Sequence, residues 1–334
     1  MALLEVKELV VKFALRQGEV TALDHISFSL NRGERLGIVG ESGAGKSVAA
    51  FSILNLISRP GYIANGEILF DNQNLVSLSN RDLRSIRGNR ISMIFQDPMM
   101  TLNPVLTVGQ QMRECLNTHT KLNQAQAEEI CLEKLKLVQI PSPETRINQY
   151  PHELSGGMKQ RVIIAIALLL NPDIIIADEP TTALDVTIQA EIMELLLNLC
   201  EQQNLALILI THDLGVVSQV TQRTIVMYAG RIIEEGPTKE IINEARHPYT
   251  QGLIKALPQQ AQPNQKLNQI PGSMPSLENI PSGCAFNPRC VYIQENCTQE
   301  TPVFVQSGGC RVACHHVADS VAGTAYEASG ERST

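Results

Sequence analysis

The sequence predicts an α/β protein in which a buried parallel sheet carries a phosphate-binding loop. Three observations indicate this class. A glycine-rich loop ending in Lys46 follows a short apolar run at 36–39. Two further runs without polar residues, 174–177 and 207–210, are typical of strands covered on both faces. A segment with helical spacing, 188–202, joins these two runs, as in a β-α-β unit.

The N-terminal residues 3–30 predict a β subdomain, which we expect to be antiparallel. Ile26, Phe28 and Leu30 alternate with serines, the pattern of a strand with one buried face. The polar segment 31–34 predicts a turn. The elements expected next are a helix at 46–57 and strands at 66–70 and 91–95.

Helical spacing and a scarcity of β-branched runs between residues 97 and 170 predict a helical subdomain inserted into the α/β core. Residues 124–138 carry their apolar side chains at helical spacing. A long helix is expected over 155–170, because the following Asn171 and Pro172 end it.

The length of 334 residues exceeds one typical domain. We predict a main domain over 1–258, because the composition changes after Pro258 to a connector rich in Gln, Asn and Pro. A cysteine-rich extension follows within 259–318, and the small, polar residues 319–334 predict a disordered tail.

Composition and charge exclude several classes of function. The net charge of −7 argues against a nucleic-acid-binding protein, which usually carries a basic face. The longest apolar run, 162–170, has nine residues and is too short to span a bilayer. The first residues lack the pattern of a signal peptide. We therefore expect a cytoplasmic chain whose membrane role, if any, comes through partner subunits.

The glycine-rich loop has the spacing of a site for nucleotide phosphates. Glycines let backbone N–H groups wrap the phosphates, and the helix that starts there adds the positive end of its dipole. Lys46 is expected to neutralise phosphate charge and Ser47 to ligate Mg²⁺. The alternative is a turn that binds nothing. The predicted nucleotide-binding residues are Gly40, Ser42, Gly43, Ala44, Gly45, Lys46, Ser47 and Val48.

Two adjacent carboxylates, Asp178 and Glu179, end the apolar run at 174–177. Ligands of α/β proteins bind at such strand ends. We predict that Asp178 holds the Mg²⁺ shell and that Glu179 polarises the attacking water. The alternative is a surface turn with two acids.

Three further residues are candidates for the nucleotide site. Gln96 follows the strand at 91–95 and could reach Mg²⁺ or the water, and His212 follows the run at 207–210 and could contact the γ-phosphate. Each is otherwise a solvated strand-end residue. Phe13 could stack on adenine or pack in the core.

Residues 154–161 resemble the signature segment of ATP-binding-cassette (ABC) ATPases. Together with the phosphate loop, Gln96, Asp178-Glu179, the segment 182–185 and His212, they match the motif set of that family. The resemblance covers residues 3–258 and implies an ABC-type ATPase fold. It also implies that two cassettes sandwich ATP. The residues implied to meet the nucleotide or loop of the facing subunit are Ser155, Gly156, Gly157, Met158 and Asp185.

One branch of the family is more similar, the cassette subunits of bacterial dipeptide and oligopeptide importers. The residues that carry this likeness lie in the segments 95–99, 102–104, 177–187, 227–230, 247–250 and 284–290. Nickel importers and antimicrobial-peptide-related systems share much of the pattern, so the cargo stays open.

The resemblance to this branch also implies partners. These are two transmembrane permease subunits, a second cassette subunit and, indirectly, a peptide-binding protein. The second cassette could be an identical copy or a paralogue, and the resemblance favours a paralogue. The chain would lie on the cytoplasmic face of the inner membrane. Met99, Met100 and Leu102 would either dock the permease helices or fill the core of the helical insert.

Five of the eight cysteines lie close together near the end of the chain. In a reducing compartment such a group favours metal ligation over disulfides, either a 4Fe–4S cluster or zinc. The resemblance implies a 4Fe–4S cluster on Cys284, Cys290, Cys297 and Cys314, with Cys310 as the alternative fourth ligand. Free thiols in a poorly packed tail are another reading. The scattered Cys115, Cys131 and Cys200 are expected to be ordinary thiols.

Two other hypotheses remain. A soluble cassette ATPase of DNA repair or translation is disfavoured, because the long insertions or second cassette of those proteins are missing. The cysteine region could alternatively be a redox sensor that gates the ATPase.

Overall fold

A computed structural model describes residues 2–97, 101–182, 184–257 and 269–320. The strands, numbered along the chain, are β1 Leu4–Leu15, β2 Gly18–Leu30, β3 Arg35–Val39, β4 Gly61–Phe70, β5 Gln73–Asn74, β6 Ile91–Ile94, β7 Ile174–Asp178, β8 Ala206–Thr211, β9 Arg223–Tyr228, β10 Arg231–Pro237, β11 Phe304–Ser307 and β12 Cys310–Ala313. The α-helices are α1 Lys46–Ile53, α2 Asn80–Ile86, α3 Val108–His119, α4 Gln124–Leu137, α5 Pro143–Arg146, α6 Gly156–Ala167, α7 Val186–Gln203, α8 Leu214–Val220, α9 Thr238–Asn243 and α10 Pro248–Lys255.

The chain divides into two units. The first unit contains Leu30–Arg35 and Phe70–Ile210 with the start of the chain, and the second contains Glu5–Ser29, Leu36–Leu69 and the chain from Thr211 onward. Both mix helices with strands, so the predicted α/β class is confirmed.

The first unit places a parallel three-stranded layer beside a group of helices. Strand β7 lies between β6 and β8, with Ile174 opposite both Ile91 and Ala206. Every residue of β7 is buried, as its continuous apolar sequence predicts. Helix α4 packs on α3 and α6, and α6 packs on α7. The helical part of this unit was predicted from the helical spacing within residues 97–170.

The second unit contains two sheets. In one, β1 lies between β2 and β4. In the other, β3 pairs parallel with β9, and β10 pairs antiparallel with β9 on one side and with β12 on the other. Strand β11 completes this sheet through an antiparallel pair with β12. The cysteine-rich extension therefore adds β11 and β12 to the sheet that contains β3, the strand that leads into the phosphate loop.

An aromatic cluster holds the extension against the rest of the second unit. The rings of Tyr228, Tyr249 and Phe286 meet edge to face, with centroids 4.7, 5.2 and 5.4 Å apart. Each of the three side chains is almost fully buried. Such pairs add about 0.5–1.5 kcal/mol to the free energy of burial.

Most predicted elements appear with small changes at their ends. The helix after the phosphate loop was expected to run to residue 57 but ends at Ile53, because Asn55 takes a left-handed conformation with φ of 49°. The strand expected at 66–70 begins earlier, at Gly61. Within the described ranges, none of the helices has the length and apolar character needed to cross a lipid bilayer. The expected disordered tail falls almost wholly outside the described residues.

Candidate functional site

The phosphate loop of the second unit connects β3 to α1 and depends on its glycines. Gly43 and Gly45 have positive φ values of 84° and 101°. A Cβ atom on Gly40 would lie 2.4 Å from the carbonyl oxygen of Met227, and one on Gly45 would lie 2.9 Å from Cδ2 of Leu23. Side chains at these positions would therefore strain or displace the loop. The predicted residues Gly40, Ser42, Gly43, Ala44, Gly45, Lys46, Ser47 and Val48 lie in this loop and in the first turn of α1.

Lys46 is buried, with 6% of its surface exposed. Its ammonium group donates hydrogen bonds to the carbonyl oxygens of Gly40 over 2.8 Å and of Glu41 over 3.0 Å. The loop thus bends around a cation at the N-terminus of a helix. This arrangement fits a polyphosphate, since the cation, the helix dipole and the backbone N–H groups all favour negative charge.

A second group of predicted residues meets at the end of β7 in the first unit. Asp178 is the last residue of the strand and is 2% exposed. Glu179 follows with a positive φ of 45°, and its N–H donates to the carbonyl of Ile210 over 2.8 Å. A left-handed conformation at a glutamate costs about 1 kcal/mol or more and is concentrated at functional sites. This bend directs the chain away from the strand immediately after Asp178.

The carboxylate of Glu179 is oriented by two neutral donors. Nε2 of Gln96 donates to its Oε2 over 3.0 Å, and Oγ1 of Thr182 donates to the same oxygen over 3.1 Å. The structure therefore brings together Gln96 and Glu179, which are 83 positions apart. The sequence analysis named Thr182 only as part of the segment 182–185 and did not predict its hydrogen bond to Glu179.

The signature segment of the first unit opens α6. Oγ of Ser155 accepts a hydrogen bond from the N–H of Met158 over 3.3 Å, so Ser155 is the N-cap residue. A Cβ atom on Gly157 would lie 2.8 Å from Cγ2 of Ile188 in α7. Ser155, Gly156 and Asp185 are exposed. The start of α6 therefore presents its capped N-terminus at the surface of this unit.

The two remaining candidates lie in the second unit. His212 follows β8 and is exposed. Phe13 is half-buried on β1, and a Cβ atom on Gly61 of β4 would lie 2.6 Å from its Cε1 atom. One edge of the Phe13 ring is thus packed against the neighbouring strand.

The proposed docking residues are described only in part. Leu102 is 4% exposed, which favours the alternative that it fills the core of the helical region. Met99 and Met100 lie outside the described residues.

Comparison with known proteins gives consistent matches along the chain. Residues 23–182 match the ABC transporter family, and residues 233–297 match the family described as the oligopeptide/dipeptide transporter C-terminal region. A dipeptide transport ATP-binding protein of Haemophilus influenzae is 50% identical over 94% of this chain and 96% of that protein. The chain belongs to the ABC transporter family.

Further relatives agree with this ABC transporter assignment. An oligopeptide transport ATP-binding protein of Bacillus subtilis is 50% identical over 90% of this chain and 85% of that protein. The solved structure of a dimeric ATP-binding cassette in a post-hydrolysis state, bound to ADP and phosphate, superposes with a TM-score of 0.63 and 30% identity. The superposition covers 70% of this chain and 98% of that cassette. The predicted ABC cassette fold, the ATPase class and the likeness to peptide-transport subunits are therefore confirmed.

The predicted metal centre in the extension is wrong. Among the described residues, which include all five clustered cysteines, no group of three or more His, Cys, Asp or Glu side chains could hold a metal ion. The correction applies to the 4Fe–4S cluster and to its zinc alternative. The residues concerned are Cys284, Cys290, Cys297 and Cys314, with Cys310 as the alternative ligand.

The physical reason lies in the packing of these thiols. Cys310 and Cys314 are buried in an apolar cluster with Tyr228 and Phe286. Burial raises the pKa of the Cys284 thiol to about 11, so in the folded chain it is a neutral thiol beside apolar side chains. Pairing of β12 with β10 and the packing of Phe286 on Tyr228 hold this segment in place.

Two contacts to the phosphate loop were missed. The hydroxyl of Tyr249 accepts a hydrogen bond from the N–H of Glu41 over 2.8 Å, and the guanidinium of Arg289 binds the Glu41 carboxylate. Both residues stand in segments that carry the family likeness, 247–250 and 284–290. The motif was therefore visible in the sequence, but its contact with the loop was not.

Proposed function

We propose that this chain is the ATP-hydrolysing, energy-coupling subunit of an importer for dipeptides or oligopeptides. The observation that carries the proposal is the 50% identity to a dipeptide transport ATP-binding protein over 94% of the chain. The match of residues 233–297 to the oligopeptide/dipeptide transporter C-terminal region supports peptides as the cargo class. The proposed domains are a main ATPase domain over residues 1–258 and an extension over residues 259–318.

The proposed chemistry assigns separate roles to the loop and to the carboxylates. Lys46 neutralises charge on the phosphates, while Ser47, Asp178 and Gln96 provide oxygen ligands for Mg²⁺. Mg²⁺, when bound, neutralises charge that develops on the phosphoryl oxygens. Glu179 accepts a proton from the attacking water, and its fixed carboxylate favours this role.

The remaining site residues have proposed contacts to nucleotide. His212 contacts the γ-phosphate, and Phe13 stacks on the adenine. The N-terminus of α6 is an anion site for the γ-phosphate held by a facing cassette. Ser155, Gly156, Gly157 and Met158 form that site, and Asp185 contacts the phosphate loop of the facing cassette.

The proposed assembly contains two transmembrane permease subunits and a second ATP-binding subunit, a paralogue of this chain. A peptide-binding protein delivers the cargo to the permease subunits. The chain is peripheral and lies on the cytoplasmic face of the inner membrane. Binding and release of ATP between the two cassettes would then move the permease subunits.

Steady-state ATP hydrolysis by the purified transporter tests this proposal. Lys46→Met should weaken binding of Mg·ATP, because the phosphates lose their buried cation. Glu179→Gln should keep binding but lower kcat about 10²- to 10⁴-fold, the usual contribution of a general base. Wild-type kcat in Glu179→Gln would remove Glu179 from the mechanism, and a wild-type chain without ATPase activity in the assembly would overturn the proposal.

A further inference from the structure

The phosphate loop of the second unit contains an acidic residue, Glu41, directly after Gly40. A carboxylate in a loop that receives a polyphosphate is electrostatically unfavourable, because like charges repel more strongly near a protein surface than in bulk water. The side chain of Glu41 is 31% exposed, so solvent screens it only in part. Its charge has to be balanced for the loop to bind an anion well.

Arg289, from the C-terminal extension, supplies the opposite charge. Its Nη1 donates to Oε2 of Glu41 over 2.6 Å, and its Nη2 donates to Oε1 over 3.0 Å. This is a bidentate ion pair, the arrangement with the greatest strength and directionality between these groups. The Arg289 side chain is only 5% exposed.

Residues of the extension and of β9 hold the Arg289 guanidinium in its position beside the loop. Nε donates to the carbonyl of Pro271 over 2.8 Å, and Nη1 approaches the hydroxyl of Tyr228 at 3.4 Å. The guanidinium carbon lies 5.8 Å from the ring centre of Tyr228 and 5.9 Å from that of Phe286. These partners hold the guanidinium in place, so that both of its Nη groups face the Glu41 carboxylate.

Other residues beyond α9 reach the same loop. The hydroxyl of Tyr249 accepts the N–H of Glu41, and a Cβ atom on Gly43 would lie 3.8 Å from Cγ of Met274. Glu41 is thus held through its backbone and its side chain, and Gly43 is flanked by the extension. The contacts all lie within the second unit.

We propose that Arg289 is a positioning residue for nucleotide binding: it neutralises the Glu41 carboxylate, so that the C-terminal extension sets the affinity of the loop for ATP. This inference rests on the proposed role of the loop in binding ATP. The extension would thereby affect nucleotide binding without binding a ligand of its own.

Affinity for Mg·ATP, measured by isothermal titration calorimetry on the full chain, tests the inference. Arg289→Met should raise Kd about tenfold, because it leaves an uncompensated carboxylate beside the phosphates. Glu41→Gln removes the same repulsion and can still accept from Arg289, so its Kd should equal or fall below that of the wild type. Arg289→Lys keeps the charge but loses the bidentate geometry, so its Kd should lie between those of the wild type and Arg289→Met.

The double variant Glu41→Gln/Arg289→Met separates charge from packing. It lacks both charges, so its Kd should return to within about threefold of the wild type. Arg311→Met is the matched control, because Arg311 also joins the extension to the rest of the second unit, through Glu235 and the carbonyl of Ser27, but does not contact the loop. Its Kd should stay unchanged.

An Arg289→Met chain with wild-type Kd would overturn the inference. If that variant does not fold, Glu41→Gln alone decides, because a purely structural ion pair predicts weaker binding and charge neutralisation predicts binding at least as tight. A double variant as weak as Arg289→Met would likewise contradict the role of charge. Absence of Mg·ATP binding by the wild type is a different result, since it would refute the proposed function itself.

Discussion

The side-chain amide of Gln96 lies 3.0 Å from Oε2 of Glu179 and donates a hydrogen bond to it. Oγ1 of Thr182 donates to the same oxygen over 3.1 Å. Two neutral donors on one oxygen fix the plane of the carboxylate, which a proton acceptor requires. The Gln96 contact therefore links the end of β6 to the residue proposed to activate water.

Gln96→Ala should lower kcat for transport-coupled ATP hydrolysis about tenfold, because a hydrogen bond to a charged group contributes about 1.5–3 kcal/mol. The Kd for Mg·ATP should change less, since the phosphate loop is intact. Thr182→Val removes the other donor to the same oxygen and should also lower kcat, so it serves as the comparison variant. Unchanged kcat in Gln96→Ala would show that orientation of Glu179 does not depend on Gln96.

Ser155→Asp should abolish most ATP hydrolysis while leaving stability unchanged. Aspartate is as good an N-cap as serine, so α6 should keep its capped start. The added negative charge would, however, oppose a phosphate group at that helix N-terminus. Steady-state ATPase assays and thermal unfolding measure the two effects separately.

Ser155→Ala is the complementary variant. It should cost about 1 kcal/mol of stability through the lost cap, with a smaller loss of kcat. Full activity of Ser155→Asp would mean that Ser155 is a helix cap and nothing more.

Phe286→Ala should destabilise the protein by about 3–5 kcal/mol, the usual cost of removing a buried aromatic ring. The Phe286 ring is 3% exposed and contacts both Tyr228 and Tyr249. Urea unfolding measures the change. Val291→Ala is the control, since Val291 is 77% exposed and its loss should be within about 0.5 kcal/mol. Equal stability of the two variants would contradict the view that apolar packing holds the extension.

His247 makes stability depend on pH. It is buried, and burial lowers its pKa to about 3, while Nδ1 accepts the N–H of Tyr249. In the unfolded chain its pKa is about 6.5, so below that pH the unfolded state binds a proton that the folded state does not. The stability that neutral His247 contributes is therefore complete above about pH 6.5 and is lost as the pH falls, by up to about 1.4 kcal/mol per pH unit.

His247→Asn isolates this effect, because asparagine keeps an acceptor at the N-cap of α10 but does not titrate. Between pH 7 and pH 5.5, urea unfolding should show a smaller loss of stability for the variant than for the wild type. Burial raises the pKa of the neighbouring Glu234, which works in the opposite direction, but Glu234 is present in both chains. Equal losses would exclude His247 as the source.

The parallel strands could be predicted closely because burial on both faces requires continuous apolar runs. The runs at 174–177 and 207–210 differ from β7 and β8 by one residue at their ends. The phosphate loop could also be predicted from its glycines, and Gly45 indeed leaves no room for a side chain. In each case a local sequence pattern was enough to predict the element.

The extension could not be predicted in the same way. Its stability comes from the pairing of β12 with β10 and from Phe286 among two tyrosines, and both involve residues distant in sequence. The five cysteines suggested metal ligation, whereas their burial among apolar side chains was not visible. The pair of Glu41 and Arg289 spans 248 positions, and no periodicity or spacing relates them.

ATP-driven uptake of a labelled dipeptide tests the central claim most directly. The complete transporter, with this chain as one ATP-binding subunit, would be reconstituted in vesicles with Mg·ATP at the face that carries it. The wild type should import the dipeptide only when ATP is present, and Glu179→Gln should assemble normally but import at the rate without ATP. Equal ATP-dependent uptake by the wild type and Glu179→Gln would contradict the account.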